Sequence, residues 1–382
     1  MTISCKILHE TKDSIKSKLF EVDIGSISVI TPIRGVNILS FPHLSKEYPV
    51  LEKFYLFEKD IIDLESKEPD VLLYNVERGI KNTHDKIILL SFLLDSSKDD
   101  NKLDIMRVEA IKSVIFDKLS VIISKVAEDY PNNSFLVSIG FVPNNLSKNK
   151  QIILNLFSKW TKYIDKRDNI YPLLFIDIRY SIRLMREILK LVEHKPLEDN
   201  IKYYGYLISL HGRDPLSKQN LKYKEILKYF TRKKLYSKGY ILYVINAKYK
   251  SLYKKVNGKK VAPATDLLLP HLDYMFIGAN HIARKIDKDI LEKIKNKLEN
   301  KILNTKIYGY ESKKEKSNIK YKEIRLYNEI KFYNEIENIK KIIEQEEKIE
   351  DYLKQKKAIL DEISKINNIK NNLIGISTNS QY

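Results

Sequence analysis

Cysteine is nearly absent: Cys5 is the single thiol in 382 residues. One thiol excludes an intrachain disulfide and any zinc site built on several cysteines, and a reducing compartment is expected. Glycine and proline are scarce, eleven of each. No Walker loop, GxGxxG, HExxH, EF-hand loop or GxSxG occurs. Their absence sets aside most nucleotide-dependent, zinc-protease and hydrolase chemistries. The seven histidines are scattered, with no His-x3-His pair. No apolar run approaches the ~18 residues of a membrane span. The opening MTISCKILHETKDSIKSK has no apolar core of the signal-peptide kind. A cytoplasmic location without membrane contact is therefore expected, and neither a cofactor nor a resident metal.

Positive charge is what the chain has in excess. Lys and Arg outnumber Asp and Glu by 68 to 50, a net +18. Such an excess attracts polyanions, so nucleic acid is the expected partner. A host proteome rich in Lys, Ile, Asn and Tyr would leave a similar imprint. Hydrophobic residues make up 43% of the chain, enough for a large core.

From about residue 18 to 282, short apolar runs alternate with helical stretches. The runs are LFEVDIGSISVITPI (19–33), DVLLYNV (70–76), KIILLSFLLD (86–95), SFLVSIGFV (134–142), YPLLFIDI (171–178), YYGYLISL (203–210), GYILYVINA (239–247) and YMFIGA (274–279). Several lack polar alternation, as strands covered on both faces of a parallel sheet do. Helices are expected over 107–129, 148–164, 181–193 and 222–233. Eight strands in this order fit an α/β fold, a (β/α)8 TIM-barrel-like domain over 1–284; a doubly wound open sheet is the alternative. Residues 285–382 form a charged helical C-terminal extension. Helices are expected over 285–304 and 335–369, the second with Ile339, Ile342, Ile349, Leu353, Leu360 and Ile363 at three- and four-residue spacings. That stripe serves either packing back on the barrel or an arm for a homodimer or a partner protein.

Carboxylates at strand ends are the candidates for chemistry, because the carboxyl mouth of a barrel exposes them while partly desolvating them. They are Asp95, Asp177, Asp266 and Asp273. Each can equally be a helix N-cap. His211 and His281 also follow strands. Lysine, arginine and tyrosine interleave in 222–240 and 246–260. Lys222, Lys224, Lys228, Arg232, Lys233, Lys234, Lys248, Lys250, Lys254 and Lys255 are the candidate phosphate contacts, with the aromatic rings as stacking faces.

Four segments carry a resemblance. LFEVDIGSISVITPI places a hairpin before Thr31 and Pro32. LLDSS (93–97) holds Asp95 and Ser96 in an Asp-Ser pair. GYILYVINAKYKSL (239–252) is a strand before a basic stretch, and PHLDYMFIGANHIAR (270–284) offers an Asp near a Phe. Their order resembles the tRNA-guanine transglycosylase superfamily, including its archaeal and DNA-modifying branches, over roughly residues 19–340. The resemblance implies base exchange in tRNA or DNA: a carboxylate attacks C1′, guanine leaves, and a 7-deazaguanine resolves the covalent intermediate. Asp273 would be the nucleophile and Asp95 the acid/base, with Ser96, Asp177, His211 and His281 binding substrate. The sequence departs from the pattern in three places. Ile277, not Asp, follows Phe276; Gly140 stands where a carboxylate would meet the base; and one cysteine cannot build the family's zinc cluster. A non-catalytic binding or accessory subunit is the alternative, and a Mg²⁺ nuclease a third.

Overall fold

The computed structural model describes residues 2–57, 69–81, 83–95, 105–142, 150–164, 166–192, 202–217, 222–280, 300–313, 321–345 and 348–378. The chain opens with an antiparallel sheet, β1 (Ile3–Glu10), β2 (Lys18–Ile24) and β3 (Ile27–Thr31). β2 and β3 are the hairpin expected before Thr31 and Pro32, whose peptide bond is cis. Then come β4 (Ile33–Arg34), β5 (Val36–Asn37), β6 (Val50–Phe57) and helix α1 (Pro69–Glu77). Strands and helices alternate from there: β7 (Ile87–Asp95), α2 (Ile105–Asp129), β8 (Ser134–Val142), α3 (Lys150–Tyr163), β9 (Ile170–Asp177), α4 (Ile182–Leu191), β10 (Gly205–Arg213), α5 (Tyr223–Arg232) and β11 (Ile241–Ala247). The apolar-rich runs without polar alternation explain this. Every residue of β8 and of β9 is buried, which requires helices on one side and a filled bore on the other.

A short hairpin, β12 (Lys254–Val256) and β13 (Lys259–Pro263), and a 3-10 helix, Thr265–Leu272, precede β14 (Phe276–Ile277). The main sheet runs β4-β14-β11-β10-β9-β8-β7-β6-β5, and every neighbouring pair is parallel. β4 and β5, the two ends of that order, are separated in sequence by Gly35 alone. They are two halves of one strand, so the nine segments are eight strands closed into a ring. The fold is an α/β, TIM-barrel-like one.

The β1–β3 sheet covers the amino-terminal end of the ring. Ser134 Oγ, at the start of β8, donates to Ile24 O at 2.8 Å, and Cys5 contacts the carbonyl of Tyr240, just before β11. The carboxyl ends of the strands point the other way.

After the barrel, β15 (Asn300–Asn304) and β16 (Gly309–Lys313) join β12 and β13 in a second antiparallel sheet, ordered β12-β13-β16-β15. Helices α6 (Tyr321–Glu344), α7 (Ile349–Lys354) and α8 (Leu360–Thr378) follow. α6 packs on β4 and β15, and α8 packs on α5 and the 3-10 helix.

Four expectations are corrected. DVLLYNV forms most of α1, not a strand: a short apolar run fits either, and β6, which the reading passed over, supplies the strand instead. Residues 300–304, expected as the end of a helix, are β15; the other residues of that expected helix lie outside the described residues, as does the boundary at 284/285. The 335–369 helix is broken into α6, α7 and α8. The extension is neither wholly helical nor a projecting arm: Ile339, Ile342, Ile349, Leu353 and Ile363 are buried, while Leu360 is 45% exposed. Closing the outside of the barrel buries more apolar surface than leaving this stripe for a partner.

Candidate functional site at the barrel mouth

Strand ends set the site. Register pairs Asp177 with Ser209 across β9 and β10, so both side chains enter the barrel at the same level. Asp177 is fully buried and accepts from the Arg179 backbone N–H, Nε and Nη2 at 2.8, 2.8 and 2.9 Å. A buried carboxylate requires such compensation. His211 Nδ1 lies 3.9 Å from the other side of the carboxylate, at Oδ2. The structure thus brings Asp177 and His211 together.

His211 projects this way because the β10–β11 ladder shifts register between Ser209 and Arg213, an irregularity that re-aims side chains. His211 and Asn246, at the ends of these adjacent strands, both take left-handed backbone conformations, φ +51° and +58°. Histidine and asparagine are among the side chains that tolerate this region best. Asn246 Nδ2 donates to Ser209 Oγ at 3.1 Å, and its backbone N–H to Ala279 O at 3.2 Å.

The polar ring continues through Ala279, whose N–H donates to Glu52 Oε2 at 2.9 Å, while Tyr243 Oη donates to Glu52 Oε1 at 2.5 Å. Glu52 is fully buried. Burial, then the neighbouring carboxylate, raises the Tyr243 phenol well above its ordinary value, so it stays a donor. Two glycines make the space: a Cβ on Gly35 would meet Tyr243 Oη at 2.2 Å, and one on Gly278 would meet Glu52 Oε1 at 2.1 Å. Below this level the bore is apolar. A Cβ at Gly140 would meet Phe175 Cδ1 at 2.6 Å and Leu93 Cδ1 at 2.8 Å, so those side chains occupy the space a larger residue would need.

Asp95 is described as the last residue of β7, at the mouth; Ser96 and His281 lie outside the described residues. Asp273 is not at the mouth. It precedes β14, and in an all-parallel ring the residues before a strand lie at the amino-terminal end. There it accepts from Lys370 Nζ of α8 at 2.6 Å, beside a bond of 2.9 Å between Ser17 Oγ and His271 Nδ1. What reaches the mouth from this segment is Gly278 to Asn280, which follow the strand. Asp95, the last residue of its strand, and Asp273, which precedes its own, stand at opposite ends of the barrel. Asp266, in the 3-10 helix, accepts from Tyr310 Oη at 2.8 Å and belongs to the outer layer.

The two basic segments part company. α5 returns from the carboxyl end of β10 to the amino end of β11, carrying Arg232, Lys233 and Lys234 to the far end, all exposed. Lys224 is half-buried on the same helix, Lys222 donates to Tyr180 O at 3.3 Å and Lys228 pairs with Glu225 at 3.5 Å. The second segment stays by the mouth, since the Lys248 N–H bonds Arg213 O at 3.0 Å. Lys250 pairs with Glu362 at 2.6 Å and Lys254 with Asp361, which fasten α8. Lys248 and Lys255 are exposed. Tyr249 packs against Tyr310 at a 37° tilt, centroids 4.4 Å apart, and Lys301 Nζ stands 4.8 Å from the Tyr249 centroid and 4.6 Å from that of Tyr253.

Glu52, Tyr243, Asn246 and Lys301 were not singled out in the sequence. Glu52 had a signal, a carboxylate inside the apolar run VLEKFYLF; the others had none apart from their fold. Among the described residues, no group of three or more His, Cys, Asp or Glu side chains is placed to hold a metal ion, and no helix is long and apolar enough to cross a membrane. No protein-family model matches the sequence, and no curated protein matches it significantly.

Proposed function

We propose that this protein binds nucleic acid at the barrel mouth and the strip beside it, as a binding or accessory protein that does not use Asp273 for base exchange. The supporting observation is Lys301 held over Tyr249 and Tyr253, next to the exposed Lys248 whose backbone is tied to the end of β10. Cations there meet phosphates, and the half-exposed Tyr253 ring offers a face to an unpaired base. The test is binding of labelled single-stranded and duplex RNA and DNA across a salt series. Affinity that falls steeply with salt, and falls again in Lys248→Glu and Lys301→Glu, is expected; salt-independent binding, or none, ends the proposal.

A second reading, base exchange of the tRNA-guanine transglycosylase kind, draws on Asp95 at the mouth end of β7. It needs a nucleophile other than Asp273, and Asp177 already accepts three hydrogen bonds from Arg179. Incorporation of labelled guanine or a 7-deazaguanine into tRNA or DNA, retained in Asp273→Ala, favours it; no incorporation removes it.

A further inference from the structure

The β15–β16 hairpin and α6 enclose a groove of about 470 Å³, whose lining includes Ile302, Asn304, Lys306, Glu311, Tyr327 and Lys331. That volume falls within the range of small-ligand sites. Its two walls are fixed to each other. Asn328 of α6 accepts from the Leu303 N–H at 2.8 Å and donates to Lys301 O at 2.9 Å, clamping the edge of β15.

The lining has one large exposed aromatic face and an excess of cations. Tyr327 is 45% exposed, and Lys331 Nζ lies 5.5 Å from its ring centroid. Glu311 is already engaged by Asn304 Nδ2 at 2.7 Å and by Lys259 Nζ at 3.7 Å. Lys306 is exposed at the hairpin turn, and neither it nor Lys331 has a carboxylate partner among the described residues. The groove is therefore net cationic with a stacking platform inside it.

We infer that this groove takes one nucleotide unit of a single-stranded nucleic acid, its base stacked on Tyr327 and its flanking phosphates met by Lys306 and Lys331. The two cations stand on opposite walls, hairpin and helix. That suits the two phosphates on either side of a nucleotide within a chain, whereas a free mononucleotide carries its charge on one side. Stacking is tolerant of base identity, so little sequence preference is expected. The inference rests on the nucleic-acid reading and adds a contact made by residues separate from those of the mouth.

The test is fluorescence anisotropy with labelled oligouridylate and with a duplex, on the full chain, each variant first checked for a native circular dichroism spectrum. Tyr327→Ala should weaken the single strand about tenfold without changing its salt slope, Tyr327→Phe should keep wild-type affinity, and duplex binding should not respond. Lys306→Gln with Lys331→Gln should weaken binding and lower the slope of log K against log salt by about 1.4, at roughly 0.7 per phosphate contact on single strands. Wild-type affinity in these groove variants, while Lys248→Glu loses binding, overturns the groove and leaves the mouth reading standing. Uridine monophosphate displacing the strand at equal nucleotide concentration overturns the chain assignment. Failure of the wild-type protein to bind any nucleic acid ends both.

Discussion

Lys370 Nζ donates to Asp273 Oδ1 at 2.6 Å, joining the last helix of the chain to the amino-terminal end of the barrel. The lysine is almost wholly enclosed, its side chain 3% exposed against 13% for the aspartate, and it also donates to Lys16 O at 3.3 Å. Removing one member of such a pair leaves the other uncompensated, which costs more than the pair itself contributes. Lys370→Met is expected to destabilise the protein by about 3 kcal/mol, read from the denaturant midpoint. Asp273→Asn should also cost stability but leave nucleic-acid binding intact; loss of binding with an unchanged midpoint would restore Asp273 as a functional group.

His271 gives the fold an acid-sensitive point. Burial first, then Lys370, pushes its imidazole down to about 3, so it is neutral in the folded state. Between about 3 and the ordinary value of 6.5 the unfolded chain binds the extra proton, and stability falls as pH drops through that window. Near pH 4.5 the loss is roughly 2–3 kcal/mol. His271→Asn keeps a polar group beside Ser17 and should flatten that acid limb in a pH series of thermal melts.

Asp266 acts in the opposite sense. Burial pushes its carboxyl up to about 6, against a hydrogen bond from Tyr310 that lowers it. The folded state therefore holds a proton that the unfolded state releases above the ordinary value near 3.8. Stability from this group falls as pH rises from about 4 to 6, and the penalty is complete above that. Asp266→Asn, still an acceptor for Tyr310, should stabilise the protein at pH 7.5 by up to roughly 3 kcal/mol. The advantage should vanish near pH 4; equal melting temperatures at both pH values would contradict this.

Gly278 tests the packing under the mouth. Its added Cβ would lie 2.1 Å from Glu52 Oε1 and 2.6 Å from Ile245 Cγ2, so Gly278→Ala must displace the Glu52 carboxylate from Ala279 N and Tyr243. A cost of about 1–3 kcal/mol is expected from the overpacking. Glu52→Ala in the same background should recover part of it, and strictly additive effects in that double-mutant cycle would argue against the contact.

The barrel was legible because β7 to β11 are apolar-rich runs without polar alternation, a pattern that few arrangements other than a two-sided parallel sheet accommodate. DVLLYNV was not, since seven apolar-rich residues satisfy a helix turn as well as a strand, and the tie was broken by β6, whose Glu52 and Lys53 disguise it. Those two charges face opposite ways: Glu52 into the bore, Lys53 outward to the carbonyls of Asn75 and Val76 at the end of α1. Asp177 and His211 were legible as strand-end residues. Asp273 misled because PHLDYMFIGANH does not say where its strand begins, and the short stretch from Asp273 to Gly278 leads from one end of the barrel to the other. Asn246 and Lys301 become partners of the mouth only through the irregular ladder after Ser209 and the pairing of β16, the partner of β15, with β13 dozens of residues earlier.

That pairing bears on how the molecule can be dissected. β13 precedes the eighth barrel strand and β16 follows it, yet Val261 lies opposite Glu311 and Pro263 opposite Gly309. A fragment stopping at residue 284 would carry a two-stranded ribbon with a bare flank, and unsatisfied flanks of that sort recruit other chains. Expression trials aimed at an isolated barrel should therefore yield aggregates, and any minimal folding unit must extend past residue 313.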